Sequence, residues 1–259
     1  MKVVEKSARP LELSGFDTPQ ALGSWENFKG VFRDEYFALR RALFRDQRGI
    51  CAYCEIDLII DPANGNPDFR IEHFHPQSDG SSNWRYDWSN LFAVCGGGNV
   101  RFIEGQEERF TAPDLSCDAW KGDSIVDGLI FNPMDEALLG AIFEFQENGR
   151  MQVATSCPDH LKELARDTIK HLNLSGSEGC GRRLDRLRQG VINGLRQQVQ
   201  SQLAVGAGIE EIFAELADAL FPDDESKPWP AFFSCIRWYL GDAANSRLVQ
   251  VGYFGGDRE

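Results

Sequence analysis

One stretch of the sequence decides the fold: Arg70-Ile71-Glu72-His73-Phe74-His75-Pro76. The pattern around Ile71 is typical of a short strand, and Pro76 is a residue that ends one. A carboxylate next to a histidine at the end of a strand can meet both a metal ion and a substrate. The stretch holds two of the chain's four histidines, which argues against the alternative of an ordinary polar strand end.

A second informative stretch lies upstream, at Cys51-Ala52-Tyr53-Cys54. Two thiolates at this spacing can bind one zinc ion from a tight turn, but they supply only half of a tetrahedral site. The nearest further cysteines are Cys95 and Cys117. The alternative is that these residues are buried free thiols. Because the chain has seven cysteines, an odd number for a disulfide set, metal binding is the first hypothesis.

Composition and charge narrow the classes of protein. The chain has 259 residues, of which 42% are hydrophobic and 26% charged, as in ordinary globular proteins. It has no apolar run of transmembrane length and no apolar signal-peptide core near Met1, so we expect no membrane span and a cytoplasmic location. The net charge of −13 argues against passive attraction to nucleic acid. A polyanionic substrate would need a local basic patch, a divalent cation or a basic partner.

The pattern along the chain predicts two regions, an α/β part over residues 1–150 and a helical part over residues 151–259. The predicted elements are a helix over 26–48, a strand over 71–74, a helix or strand over 89–94, a hairpin over 141–151 with an Asn-Gly turn, and helices over 160–172, 181–203, 209–220 and 232–240. The helical part is a candidate for docking a partner.

One basic stripe stands out in the helical part. It comprises Arg182, Arg183, Arg186, Arg188 and Arg196, with Asp185 as the single acid between residues 181 and 200. Such a stripe is often only a solvated helix face. The functional alternative is that Arg182, Arg183 and Arg186 contact phosphates of a nucleic acid or a partner protein.

The order of the motifs resembles the HNH nuclease motif. Cys-x-x-Cys at 51–54 is followed by Glu-His-Phe-x-Pro at 72–76, Trp-x-Asn-Leu at 88–91 and Cys-x-x-x-Asn at 95–99. The resemblance implies an α+β fold in which a ββα-metal finger and a structural zinc knuckle are embedded in a mainly helical chain. Two positions depart from the motif, because Gly98 takes the place of a cysteine and Asn99 that of a histidine.

The resemblance also implies roles for individual residues. His73 is expected to be the general base, Glu72 to hold the metal, and Asn90 to be a second ligand or to position the loop. Asn99 is a third candidate ligand, or alternatively a cap after the glycines. Oxygen ligands favour Mg²⁺ or Mn²⁺ over a catalytic Zn²⁺. Structural Zn²⁺ is expected on Cys51, Cys54 and Cys95, with Cys117 completing the set, and His75 and Lys121 are accessory candidates.

A narrower resemblance rests on six motifs in order, which also include Cys-Asp-x-x-Lys-Gly at 117–122 and Asn-Pro-Met-Asp at 132–135. It is to the PtuB-type HNH endonuclease of Septu anti-phage systems, which is also found with retrons. This resemblance implies phosphodiester hydrolysis with DNA as the first substrate, and an ABC/SMC-like ATPase of the PtuA type as partner.

Three further possibilities stay open at this point. A retron-linked enzyme could cleave tRNA, and could work with a retron reverse transcriptase and its DNA. The chain could be a zinc-stabilised binding module with a decayed active site, although Glu72, His73 and Asn90 all being present argues against that. A stand-alone nuclease would be expected to carry a DNA-reading domain and a basic surface, and the sequence indicates neither.

Overall fold

The computed structural model describes residues 1–16, 25–60, 67–97, 115–176 and 179–254. These residues form a mixed helix and strand structure, which agrees with the α+β part of the predicted fold class. Its helices are α1 (Trp25–Val31), α2 (Arg33–Asp46), α3 (Cys117–Lys121), α4 (Lys162–His171), α5 (Gly179–Leu203), α6 (Ile209–Leu220), α7 (Phe233–Leu240) and α8 (Asp242–Gln250). Its strands are β1 (Phe69–His73), β2 (Leu91–Cys95), β3 (Phe143–Phe145) and β4 (Met151–Val153).

Strands β1 and β2 form an antiparallel pair that carries the predicted motif. Glu72 lies opposite Phe92 and His73 opposite Leu91. All five residues of β2 are buried, which explains why the sequence pattern did not distinguish a strand from a helix: a short, continuous apolar run suits both. A 3-10 turn at Trp88–Asn90 precedes β2, and the Asp87 side chain caps it by accepting a hydrogen bond from the Ser89 N–H.

The predicted helix over 26–48 is two helices, with a break at Phe32. The backbone of Phe32 has φ −106° and ψ 59°, which is outside the helical region. The rings of Phe28 and Phe32 both pack on Phe16, at centroid distances of 4.8 and 5.3 Å. The short α1 places Trp25 edge-on against the ring of His73, with centroids 4.6 Å apart.

The predicted hairpin is present as the antiparallel pair β3 and β4. The turn needs glycine at position 149, where φ is +79°. A Cβ atom there would lie 1.9 Å from the Asp185 carbonyl oxygen, so any side chain would collide with the backbone of α5. The turn and the long helix α5 are therefore packed directly on each other.

The helical region follows the predicted pattern and adds one helix. α6 has the predicted bounds, α4, α5 and α7 begin within a few residues of them, and α8 was not predicted. Backbone hydrogen bonds join this region to the first part: Trp229 N–H donates to the Arg48 carbonyl and Phe232 N–H to the Glu55 carbonyl. The division at residue 150 stays a prediction. None of the helices in the described ranges is both long and apolar enough to cross a membrane.

Candidate metal centre and catalytic cleft

Four cysteines meet in one buried cluster: Cys51, Cys54, Cys95 and Cys117. Their sulfur atoms lie within 4.8 Å of one another, with Sγ–Sγ distances of 3.6 Å for Cys54–Cys95, 3.8 Å for Cys95–Cys117 and 4.0 Å for Cys51–Cys117. Sulfurs bonded to one tetrahedral zinc at about 2.3 Å lie about 3.8 Å apart. The donor set and its spacing therefore fit a structural zinc ion.

Local backbone geometry brings Cys117 to this cluster. A Cβ atom on Gly97 would lie 2.2 Å from the Ser116 carbonyl oxygen, so a glycine is required where the chain after β2 meets the start of α3. Cys117 itself has φ +56°, a costly conformation for a residue with a side chain. Its N–H donates to the Leu172 carbonyl, which ties α3 to the end of α4.

The electrostatics of the cluster favour one thiolate even without a metal ion. Burial opposes ionisation of Cys51, but hydrogen bonds from Cys117, Cys54 and Cys95 outweigh it and lower the pKa of Cys51 well below its ordinary value. Burial in turn raises the pKa of Cys117. A bound cation would stabilise all four thiolates together, so that the cysteines would no longer compete for a single negative charge.

Next to the cluster is a cleft of about 390 Å³ between α1, β1 and α3. Its lining includes Trp25, Glu72, His73, Asp118 and Lys121. The cleft therefore combines two predicted site residues of β1 with residues of α3, which lie far from β1 in the sequence. Because Cys117 begins α3, the cysteine cluster adjoins one wall of the cleft.

His73 is held in one tautomer. Its Nε2 lies 3.1 Å from the Arg85 carbonyl oxygen, which can only accept, so Nε2 carries the proton and Nδ1 has the lone pair. The ring is buried. Burial lowers the pKa of His73 to about 4, and the imidazole is therefore neutral at pH 7. A neutral imidazole with an available lone pair is the form that can act as a base.

Glu72 and Asp118 form a carboxyl pair within hydrogen-bonding reach of each other. Burial and the neighbouring Asp118 raise the pKa of Glu72 well above its ordinary value, because two negative charges in a buried place repel. Lys121 Nζ partly offsets this at 2.9 Å from Glu72 Oε1, and Arg70 Nε lies 2.6 Å from Asp118 Oδ2. Such a pair of carboxylates suits a hard cation.

Asn90 is buried and fully engaged in holding the loop after β1. Its Oδ1 accepts from the His75 N–H at 2.7 Å. Its Nδ2 donates to the carbonyls of His75 and Trp84, at 2.9 and 2.8 Å. Of the two roles expected for Asn90, this geometry favours positioning the loop over binding a metal ion.

His75 is clamped between two carboxylates. Nδ1 lies 2.8 Å from Asp127 Oδ2 and Nε2 lies 2.8 Å from Asp79 Oδ2, while the ring packs on Trp84 at 4.2 Å. Burial lowers the pKa of His75, but the two hydrogen bonds outweigh it and the net pKa is raised. Both ring nitrogens are thus occupied, which supports a structural role beside Pro76.

The remaining predicted residues are more scattered. Asn99 lies outside the described residues. On α5, Arg182 and Arg186 are exposed, whereas Arg188 is buried and donates to the Leu174 carbonyl and to Asp185. Arg196 pairs with Glu147 at 3.3 Å. The exposed part of the basic stripe is therefore shorter than the sequence indicated.

Asp118 lines the cleft but had no role predicted from the sequence. The signal was present, since Asp118 lies in the Cys-Asp-x-x-Lys-Gly motif between a predicted zinc ligand and Lys121. Trp25, which contacts the ring of His73, carried no such signal because it lies far from the motifs in the sequence.

The depressed pKa of His73 predicts an acid-sensitive contribution to stability. The imidazole titrates near 4 when folded and near 6.5 when unfolded, so the unfolded chain binds more protons between these values. Stability is therefore present above pH 6.5 and is lost as the pH falls towards 4. In urea unfolding, titration of His73 should lower the free energy of unfolding by about 2 kcal/mol between pH 7 and pH 5. His73→Gln, which cannot titrate, should lack this component; equal pH dependence of the two proteins would refute the prediction.

Comparison with known proteins supports a family relationship. No protein-family model matches the chain. An Escherichia coli protein, "Retron Ec83 putative HNH endonuclease", is 37% identical over 129 residues, which cover 47% of this chain and 46% of that protein. The match thus spans less than half of the relative's length. It supports the predicted relationship to the HNH endonucleases.

Proposed function

We propose that this protein is a metal-dependent endonuclease that hydrolyses phosphodiester bonds. The observation that carries the proposal is the cleft in which neutral His73 lies beside the carboxyl pair of Glu72 and Asp118. The relationship to an HNH endonuclease supports the same reading. Strands β1 and β2 with helix α3, which packs on β2, would then be the ββα-metal finger.

The two candidate metal sites have different donors and different roles. The four buried cysteines would hold Zn²⁺, which would fix the start of α3 relative to β2. Glu72 and Asp118 would hold Mg²⁺ or Mn²⁺, with Asn99 as a predicted further ligand. A divalent cation on these oxygens would neutralise charge on the scissile phosphate and on the leaving oxygen.

The chain's own residues supply the rest of the chemistry. Nδ1 of His73 would take the proton of the attacking water, because Nε2 is committed to the Arg85 carbonyl. Asn90 would keep the loop after β1 in place for this step. Arg70, which is partly exposed beside Asp118, would offer a positive charge to the substrate phosphates.

The biological setting is part of the proposal. The relative's name associates that protein with a retron, and the motifs resemble those of Septu nucleases. We therefore propose a role in anti-phage defence with an ABC/SMC-like ATPase as partner, DNA as the first substrate and tRNA as the second candidate. A partner would explain how a chain of net charge −13 is brought to a polyanion. The exposed Arg182 and Arg186 are candidates for contacting the partner or the nucleic acid.

A cleavage assay tests the proposal. Zinc-loaded protein, alone and with the proposed ATPase partner, is incubated with plasmid DNA and with total tRNA in Mg²⁺, Mn²⁺ or EDTA. We expect cleavage that requires the divalent cation. Asp118→Asn should reduce the rate by about 100-fold or more, because one carboxylate ligand of the cation is lost.

The matched control is Asp123→Asn, since Asp123 is exposed and lines the same cleft. This variant should keep a rate close to that of the wild type. Cleavage that continues in EDTA, or equal rates for the two variants, would contradict the proposed site.

A further inference from the structure

Lys121 is buried in a cage of oxygen atoms. Its side chain is 1% exposed, and Nζ lies 2.9 Å from Glu72 Oε1. The same Nζ donates to the backbone carbonyls of His73, Phe74 and Gly122, each at 3.3 Å. One carboxylate and three carbonyl oxygens are the kinds of donor that hard metal cations use. The lysine ammonium thus occupies the place of a cation.

We infer that Lys121 is the internal counter-cation of the Glu72–Asp118 site, and that a divalent cation binds there by displacing the ammonium from Glu72. This inference rests on the proposed function, because it assigns the cation to the same carboxylates. Glu72 Oε1 also accepts from the Tyr53 hydroxyl at 3.2 Å, so this oxygen already has two donors. An incoming cation must therefore compete with Lys121 for it.

Charge and geometry both make the exchange feasible. An ammonium and a divalent cation on one carboxylate repel each other strongly in a buried place. Lys121 and Asp118 lie three residues apart on α3, yet the flexible stem of a lysine lets the ammonium move while Asp118 stays. Without the cation, the ammonium of Lys121 balances the charge of Glu72, while Arg70 lies beside Asp118. The metal affinity is consequently lower than that of the bare carboxyl pair.

Mn²⁺ binding tests this inference without relying on cleavage. Full-length, zinc-loaded protein is titrated with Mn²⁺, and free Mn²⁺ is followed by electron paramagnetic resonance. Lys121→Met and Lys121→Gln should bind Mn²⁺ about ten-fold more tightly or better, because a competing charge is removed. The control is Lys29→Met, which removes the same charge from the same cleft at a residue paired with Glu26, and it should change the affinity by less than about two-fold.

Thermal unfolding gives a second readout. Without Mn²⁺, Lys121→Met should unfold at a lower temperature than the wild type, because Glu72 loses its buried partner. Addition of Mn²⁺ should raise the melting temperature of Lys121→Met by more than it raises that of the wild type. Lys121→Gln keeps a donor for the carbonyls and serves if the methionine variant does not fold. If the Lys121 variants bind Mn²⁺ no more tightly than Lys29→Met does, the inference about Lys121 is overturned, while the proposed metal site stands. Absence of Mn²⁺ binding in the wild type and all variants would overturn the proposed metal site as well.

Discussion

Cys95→Ser should release the zinc ion and destabilise the protein more than any other substitution considered. Cys95 lies at the end of β2, with its sulfur 3.6 Å from Cys54 and 3.8 Å from Cys117. Loss of one thiolate leaves three ligands and a damaged core between β2 and α3. The free energy of unfolding should fall by about 3 kcal/mol or more.

Zinc content by atomic emission and urea unfolding measure this effect. Cys157→Ser is the matched control, because Cys157 is also a buried thiol but does not belong to the four-cysteine cluster, and its sulfur donates to the Pro158 carbonyl. It should keep its zinc. Wild-type protein purified without chelator that contains almost no zinc would contradict the account. Stoichiometric, tightly bound zinc in Cys95→Ser would remove Cys95 from the ligand set.

His73→Ala should abolish most of the cleavage activity. The variant loses the neutral imidazole whose Nδ1 is proposed to take the proton from water, and a general base of this kind contributes about 100- to 10,000-fold to the rate. The rate is measured under single-turnover conditions with the substrate and cation that the wild type prefers.

His160→Ala is the control for this experiment, since His160 is exposed and lies outside the cleft. It should leave the rate unchanged. The fold of His73→Ala is checked by its zinc content, which should equal that of the wild type. A rate for His73→Ala within a few-fold of the control would remove His73 from the mechanism.

The sequence predicted the parts of the structure that depend on local patterns. The amphipathic repeat of α6, the Asn-Gly turn before β4 and the strand that ends in His73 all depend on residues close in the chain. The helical pattern did not predict the break at Phe32, which lies where the rings of Phe28 and Phe32 pack on Phe16. Such tertiary contacts override a helical pattern.

The sequence predicted the site residues that lie close together within one motif. It did not predict which residues from distant motifs meet in the folded structure. Glu72 and His73 are adjacent in the sequence, and the four cysteines could be matched to a known chemistry. Asp118 comes close to Glu72 because folding places α3 beside β2, so its contribution becomes visible in three dimensions. The three hydrogen bonds of Asn90, which favour loop support over metal binding, likewise become visible only in the folded structure.

The chemical nature of the cleaved ends tests the central claim most directly. Plasmid DNA and tRNA cut by the wild-type protein in Mn²⁺ are analysed by mass spectrometry for their terminal groups. Water activated by His73, with the 3′ oxygen as leaving group, predicts 5′-phosphate and 3′-hydroxyl ends on whichever substrate is cut. Ends bearing a 3′-phosphate or a 2′,3′-cyclic phosphate, or no cleavage of either substrate in the presence of the proposed ATPase partner, would contradict the account.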